Sequence, residues 1–219
     1  MSKWSDIKMY DLTIPIGINT PAWPTYEPLQ MKFFKRLTPN GANGQLLTHS
    51  NHVGTHLDGP LHFDTAGRDI ASIELTRLCR PGVVVDLSDQ AEDFGIYTPQ
   101  DIEKRVTVKE GDILIINTGY HIYGWDSPKA DERRYMLRHP GPSLDFIQWV
   151  RDKKISWIGV DCGSADHPMN TKIRDWEPME AKKCDDIFQR KYGKTLDEVY
   201  PWPDHYQAMH IELFCQPYE

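Results

Sequence analysis

Hydrophobic and polar positions alternate with a period of two in several short stretches of this chain, and take up helical spacing in a few others. Lys8 to Ile16 alternates around Leu12, Ile14 and Ile16 and is stopped by Gly17, which predicts a first strand. Pro21-Ala22-Trp23-Pro24 reads as a loop, because each proline biases the residue before it toward extended backbone. Gln30 to Leu37, carrying Met31, Phe33 and Phe34, reads as a strand. Gln45 to Ser50 reads as another, entered after the turn Asn40-Gly41-Ala42-Asn43-Gly44.

The middle of the chain changes to alternating strand and helix patterns. Gly82-Val83-Val84-Val85-Asp86-Leu87 has the β-branched run of a buried strand, and Asp112-Ile113-Leu114-Ile115-Ile116-Asn117 is stronger still. Thr98-Pro99-Gln100-Asp101 is a helix start, with threonine as cap, proline at the first position and an acid in the first turn. Gly141-Pro142-Ser143 predicts a second helix start, with Leu144, Ile147 and Val150 on one face. Ile155 to Val160 is the next strand. From about Ala165 to Pro203 the texture is charged and proline-punctuated. It reads as an insertion, a lid or an interface, with a short helix near 181–190. His205 to Phe214 reads as a final structured element.

Composition narrows the class. The 219 residues are 39% hydrophobic and 26% charged, ordinary for a globular chain and far from disorder. A net charge of −7 argues against nucleic acid as a partner. No apolar run approaches the roughly 18 residues of a membrane span, and Met1-Ser2-Lys3-Trp4-Ser5-Asp6 lacks a signal-peptide core. The four cysteines are scattered, so reduced thiols and a cytoplasmic location are expected.

The candidate chemistry sits in His52-Val53-Gly54-Thr55-His56-Leu57-Asp58-Gly59-Pro60-Leu61-His62-Phe63, where three histidines and an aspartate fall within eleven residues. Imidazoles with a carboxylate suit Zn, Mn or Fe as divalent ions. Gly54, Gly59 and Pro60 exclude a single helix, so the ligands converge through turns. Three ligands leave a coordination position for water, and a further histidine can move protons. No Gly-x-Ser-x-Gly elbow and no dinucleotide fingerprint is present.

This motif resembles the signature of the metal-dependent cyclase superfamily, which includes bacterial kynurenine formamidases and isatin hydrolases. Asp11-Leu12-Thr13, Trp23-Pro24, Gly111-Asp112-Ile113-Leu114 with Thr118-Gly119, and Gly159-Val160-Asp161 with Ser164 and Asp166 extend the resemblance. It implies one α/β domain over residues 1–219, of the swivelling β/β/α type, with a mixed sheet or barrel-like core and flanking helices. It implies that His52, His56 and Asp58 are metal ligands and that His62 is the catalytic proton carrier. Trp23 is implied to pack against the substrate, and His210, with His205 as runner-up, to ligate a second metal. One or two ions of Zn or Mn, a small-molecule substrate and a dimer or tetramer follow. The implied reaction is hydrolysis of an aryl formamide, cyclic amide or lactone. The family's acidic ligand and strands after the late histidine have no clean match here, Glu219 coming too early. C-terminal strands are therefore expected to be missing, and a non-catalytic metal-binding protein is the alternative. His167 is a candidate to line the site, while His49, His121 and His139 read as structural or surface residues.

Overall fold

The computed structural model describes residues 7–201, and the chain divides into two units, Met1–Leu57 and Asp58–Glu219. In the first unit, β1 (Gln30–Lys35) and β2 (Gly44–Thr48) pair antiparallel, joined through the short α1 (Leu37–Asn40). Gln30 faces Thr48 and Phe33 faces Gln45, and a bulge follows at Phe34. The Phe34 ring explains Gly44, where a Cβ would lie 2.8 Å from Phe34 Cζ. Gly41 closes the connection at φ 71°, the left-handed backbone that glycine adopts without cost.

The strand expected over residues 8–16 does not form. Leu12 and Met9 are 69% and 77% exposed, and no ladder partner is present among the described residues. Asp11 instead accepts hydrogen bonds from the Thr13 amide and hydroxyl, a local turn that competes with strand pairing. Alternation supplies a potential face, but a strand also needs a neighbour to take its backbone hydrogen bonds.

In the second unit β3 (Gly82–Asp86), β5 (Ile113–Asn117) and β7 (Trp157–Val160) form a parallel sheet in the order β3-β5-β7. A smaller parallel pair joins β4 (Ile96–Tyr97) to β6 (Gly141–Pro142). The α2 turn (Leu75–Leu78) leads into β3, and α4 (Glu132–Leu137) precedes β6. Helices α3 (Pro99–Glu103) and α5 (Asp145–Asp152) cover the parallel sheet, burying Ile102, Phe146, Ile147 and Val150 with Val85, Leu114 and Ile116. The α3 start is a full capping box: Thr98 Oγ1 takes the Asp101 amide, and the Asp101 carboxylate takes the Thr98 amide. These parallel and antiparallel strands with flanking helices are the α/β arrangement of the swivelling β/β/α type.

The start of α5 departs from expectation. Gly141-Pro142 is used as strand β6, so the helix begins at Asp145. Its buried face is Phe146, Ile147 and Val150, while Leu144 is left 37% exposed. The later start rotates Leu144 out of the face it was expected to share.

Between residues 165 and 201 lie α6 (Ile173–Trp176), α7 (Pro178–Tyr192) and α8 (Leu196–Val199). The short helix expected near 181–190 is part of α7, which starts on Pro178 and stops at Gly193. Its buried stripe is Glu180, Cys184 and Phe188, one residue per turn. Glu180 is paired with Arg138 at 2.8 and 2.9 Å, with Arg133 at 2.9 Å and with Lys183 at 3.1 Å. Hydrogen bonds from Arg138, then Arg133 and Lys183, outweigh burial and hold its carboxyl down at about 2. Buried Arg174 gathers the Met169 carbonyl, the Asp197 carboxylate and the Tyr200 carbonyl. The Tyr200 hydroxyl donates to the Pro142 carbonyl at 2.7 Å, tying this charged stretch to β6.

Candidate metal centre

His52, His56 and Asp58 each present a ligand atom, and these atoms all lie within 4.8 Å of one another. His52 and Asp58 are half-buried and His56 is exposed. The chain reaches this arrangement through Gly54, at φ 67°. A Cβ there would approach Ile16 Cγ1 to 3.3 Å, so backbone freedom and space both call for glycine. Thr55 Oγ1 accepts the Ile14 amide at 2.9 Å and anchors the bend to the preceding segment. Val53 is 3% exposed and bridges to Ala22.

The hydrogen bonds prepare one nitrogen. His56 Nδ1 lies 2.8 Å from the Gly54 carbonyl. A carbonyl can only accept, so Nδ1 carries the proton and Nε2 keeps its lone pair. That Nε2 faces His52 Nδ1 at 3.2 Å. Two imidazole nitrogens bound tetrahedrally at zinc-like distances are separated by about 3.3 Å, so the donor set fits a divalent ion. The Tyr26 ring packs against His52 at 5.5 Å between centroids, with the planes 68° apart.

The other expected site residues are placed less directly. His62 ends the single turn Pro60–His62, is exposed, and packs its ring against Phe63 at 4.3 Å. It stands outside the three-ligand group. Trp23 is half-buried in the predicted loop, and its carbonyl accepts the Tyr26 amide. His210 and His205 lie outside the described residues, as do Glu219 and Cys215. His167 is fully buried, between Tyr200 at 4.9 Å and Phe188 at 5.7 Å. Burial pushes its pKa down to about 3. His139 is fully buried too, and desolvation lowers it to about 4. His121 is exposed and holds Asp161 at 2.9 Å. Cys79, Cys162 and Cys184 are free thiols.

The second set of motif residues proves architectural. Asp161, after β7, accepts the Thr118 amide and hydroxyl and the Gly119 amide after β5. This locks the ends of two parallel strands together. Two contributors at the metal centre escaped the linear reading: the Gly54 carbonyl that sets the His56 tautomer, and Tyr26. The Gly-x-His spacing was available as a signal for the first. Nothing in the local pattern singles out Tyr26.

An α/β fold with a three-residue candidate ligand group on a glycine-bent segment defines a class of metal-binding proteins, and comparison supplies the family. The family model described as "Putative cyclase" matches residues 10–167, and the chain belongs to that family. It is 28% identical to a kynurenine formamidase of Bacillus anthracis over 172 residues, covering 78% of this chain and 73% of the relative. It is 30% identical to cyclase-like protein 1 of Arabidopsis thaliana over 203 residues, covering 82% and 74%. Among solved structures it resembles isatin hydrolase A from Ralstonia solanacearum, with a TM-score of 0.70 over 96% of this chain and 76% of that one. At 17% identity that likeness is one of fold. No helix among the described residues is long and apolar enough to cross a membrane.

Proposed function

We propose that this protein is a metal-dependent hydrolase of an amide or ester C–N or C–O acyl bond. The substrate class is an aryl formamide, a cyclic amide or a lactone. The observation that carries the reading is the His52, His56 and Asp58 group, with its His56 tautomer already set. Kynurenine formamidases and isatin hydrolases among the relatives support amide-type bonds as the target.

His52, His56 and Asp58 hold the ion, which is Zn or Mn. When bound, a divalent ion supplies Lewis acidity toward a carbonyl and lowers the pKa of water toward neutrality. His62 takes the proton of the attacking water and returns it to the leaving nitrogen or oxygen. Imidazole exchanges protons near neutral pH, about 6.5, which is what that task requires. Trp23 packs against the aromatic part of the substrate, and His210 contributes to a second ion. The protein works as a dimer or tetramer in the cytoplasm. Exposed apolar residues of the N-terminal unit, Phe34 at 66% and Leu37 at 62%, support association.

The test is metal content per chain for wild type and His52→Ala, followed by hydrolysis assays on an aryl formamide, isatin and a lactone. Near-stoichiometric metal, lost in the variant, with turnover of one of the three is the expected result. A metal-loaded wild type that turns over none of them leaves the non-catalytic metal-binding reading. No metal after reconstitution with Zn or Mn overturns both.

A further inference from the structure

The turn that carries His62 is folded back on itself. The His62 amide donates to the Gly59 carbonyl, and the Phe63 and Asp64 amides both donate to the Pro60 carbonyl. The Leu61 amide donates to the Arg68 carbonyl at 3.2 Å, which closes the loop over residues 61–68. Two glycines mark how closely the return limb lies on the motif. A Cβ at Gly67 would stand 2.6 Å from the Pro60 carbonyl carbon, and one at Gly59 would stand 2.7 Å from Ile70 Cδ1. The Arg68 backbone is thereby held against Leu61, the neighbour of His62.

Two carboxylates flank Arg68 on this loop, and both are engaged with backbone. Asp64 Oδ1 accepts the Ala66 amide at 2.9 Å. Asp69 Oδ1 accepts the Ser72 amide at 2.8 Å and caps the turn Ile70–Ser72. Arg68 is exposed, and no carboxylate among the described residues pairs with it. By contrast Arg105, Arg133, Arg134, Arg138 and Arg174 each hold a carboxylate. A chain of net charge −7 repels an anionic ligand at long range, so recognition of one requires a local cation. A guanidinium meets a carboxylate through two parallel N–H bonds, a geometry that lysine does not reproduce.

We infer that Arg68 is a specificity-determining residue, and that the substrate is an acyl compound carrying a carboxylate away from the bond that is cleaved. The guanidinium receives that carboxylate while His62, on the same closed loop, serves the reacting bond. This rests on the hydrolase reading above. It adds the charge of the substrate and the side chain that reads it.

The experiment measures kcat/KM on matched substrate pairs. An aryl formamide, isatin and the lactone phthalide are each used with a ring carboxylate and with the neutral carboxamide in its place. Wild type, Arg68→Ala and Arg68→Lys are compared, with metal content recorded alongside. Arg68→Ala is expected to lower the carboxylate-to-carboxamide ratio of kcat/KM about ten-fold, through KM rather than kcat, the size of one charge-assisted contact. Arg68→Lys is expected to recover about half of that loss on a logarithmic scale, as a point charge without the fork. An unchanged ratio in Arg68→Ala, equal losses on both members of a pair, or loss of metal in that variant overturns the role of Arg68 while leaving the hydrolase reading intact. A metal-loaded wild type that turns over no member of any pair overturns the hydrolase reading and this inference with it.

Discussion

Two pairs of histidines in this molecule have opposite fates. His52 and His56 sit on a bent loop segment with their ring nitrogens 3.2 Å apart and water within reach. His139 and His167 are fully buried in the second unit, His167 among Phe94, Phe188, Tyr200 and the Gly141 backbone and His139 with its Nδ1 on the Pro140 carbonyl. The first pair has lone pairs to offer a cation. The second is kept neutral by desolvation and serves as packing. Residue type gives candidate chemistry, and solvent access with the partner at the second ring nitrogen decides whether it is used.

Removing a ligand tests the comparison most severely. His56→Ala is expected to abolish stoichiometric metal and, with it, turnover, whereas His167→Phe should leave metal content unchanged; elemental analysis of both variants decides. If His167→Phe also strips the metal, the division between the pairs fails. His62→Ala is expected to keep its metal and lose turnover by about 10²- to 10⁴-fold, the usual worth of a general acid–base. Full activity in that variant removes His62 from the mechanism.

Stability gives the next contrast. Arg138→Ala leaves buried Glu180 with Arg133 and Lys183 alone, and should cost about 2–3 kcal/mol in urea denaturation. Lys154→Ala, which removes the exposed pair with Glu110 at 2.7 Å, should leave the urea midpoint nearly unchanged, because water screens the pair. The buried histidines add a pH signature. Their folded pKa values, about 4 and about 3, lie below the ordinary 6.5, so below pH 6.5 the unfolded chain binds more protons. Stability therefore falls as pH drops from 6.5 toward 4, by up to about 1.4 kcal/mol per pH unit per histidine. Asp161 and Asp166 favour the protonated form of His139 and moderate the loss, while Arg174 and His139 oppose protonation of His167. Glu180 acts in a lower window, its contribution complete above about pH 4.5 and lost toward pH 2. His167→Phe should flatten the upper slope, and denaturation midpoints measured from pH 7 to 4 show whether it does. Smallest of all, Thr98→Ala at the α3 cap should cost about 1 kcal/mol.

Much of this architecture was legible along the chain. The β3 and β5 runs, the α3 cap and the two hairpin strands appear where local pattern places them, because each is specified by neighbouring residues. Lys8 to Ile16 shows the limit. Its alternation is as regular as that of β1, yet β1 has β2 beside it and this stretch has no ladder partner among the described residues. The charged stretch after Ala165 reads along the chain as an insertion, a lid or an interface. Nothing in that pattern singles out Glu180 and Arg174, which are buried because Arg138, Asp197 and backbone carbonyls complete their bonding.

The sequence by itself brought together the candidate ligand group, since His52, His56 and Asp58 lie within seven residues and the glycine between them forces the bend. It also marked the runs that form β1, β2, β3, β5 and β7. Only the tertiary structure decided which histidines stay wet, that Asp161 is a tie between β5 and β7, and that Tyr26 meets His52. The reason is the same in each case. Burial, tautomer and ring orientation are set by groups from elsewhere in the chain, and spacing along the sequence carries no record of them.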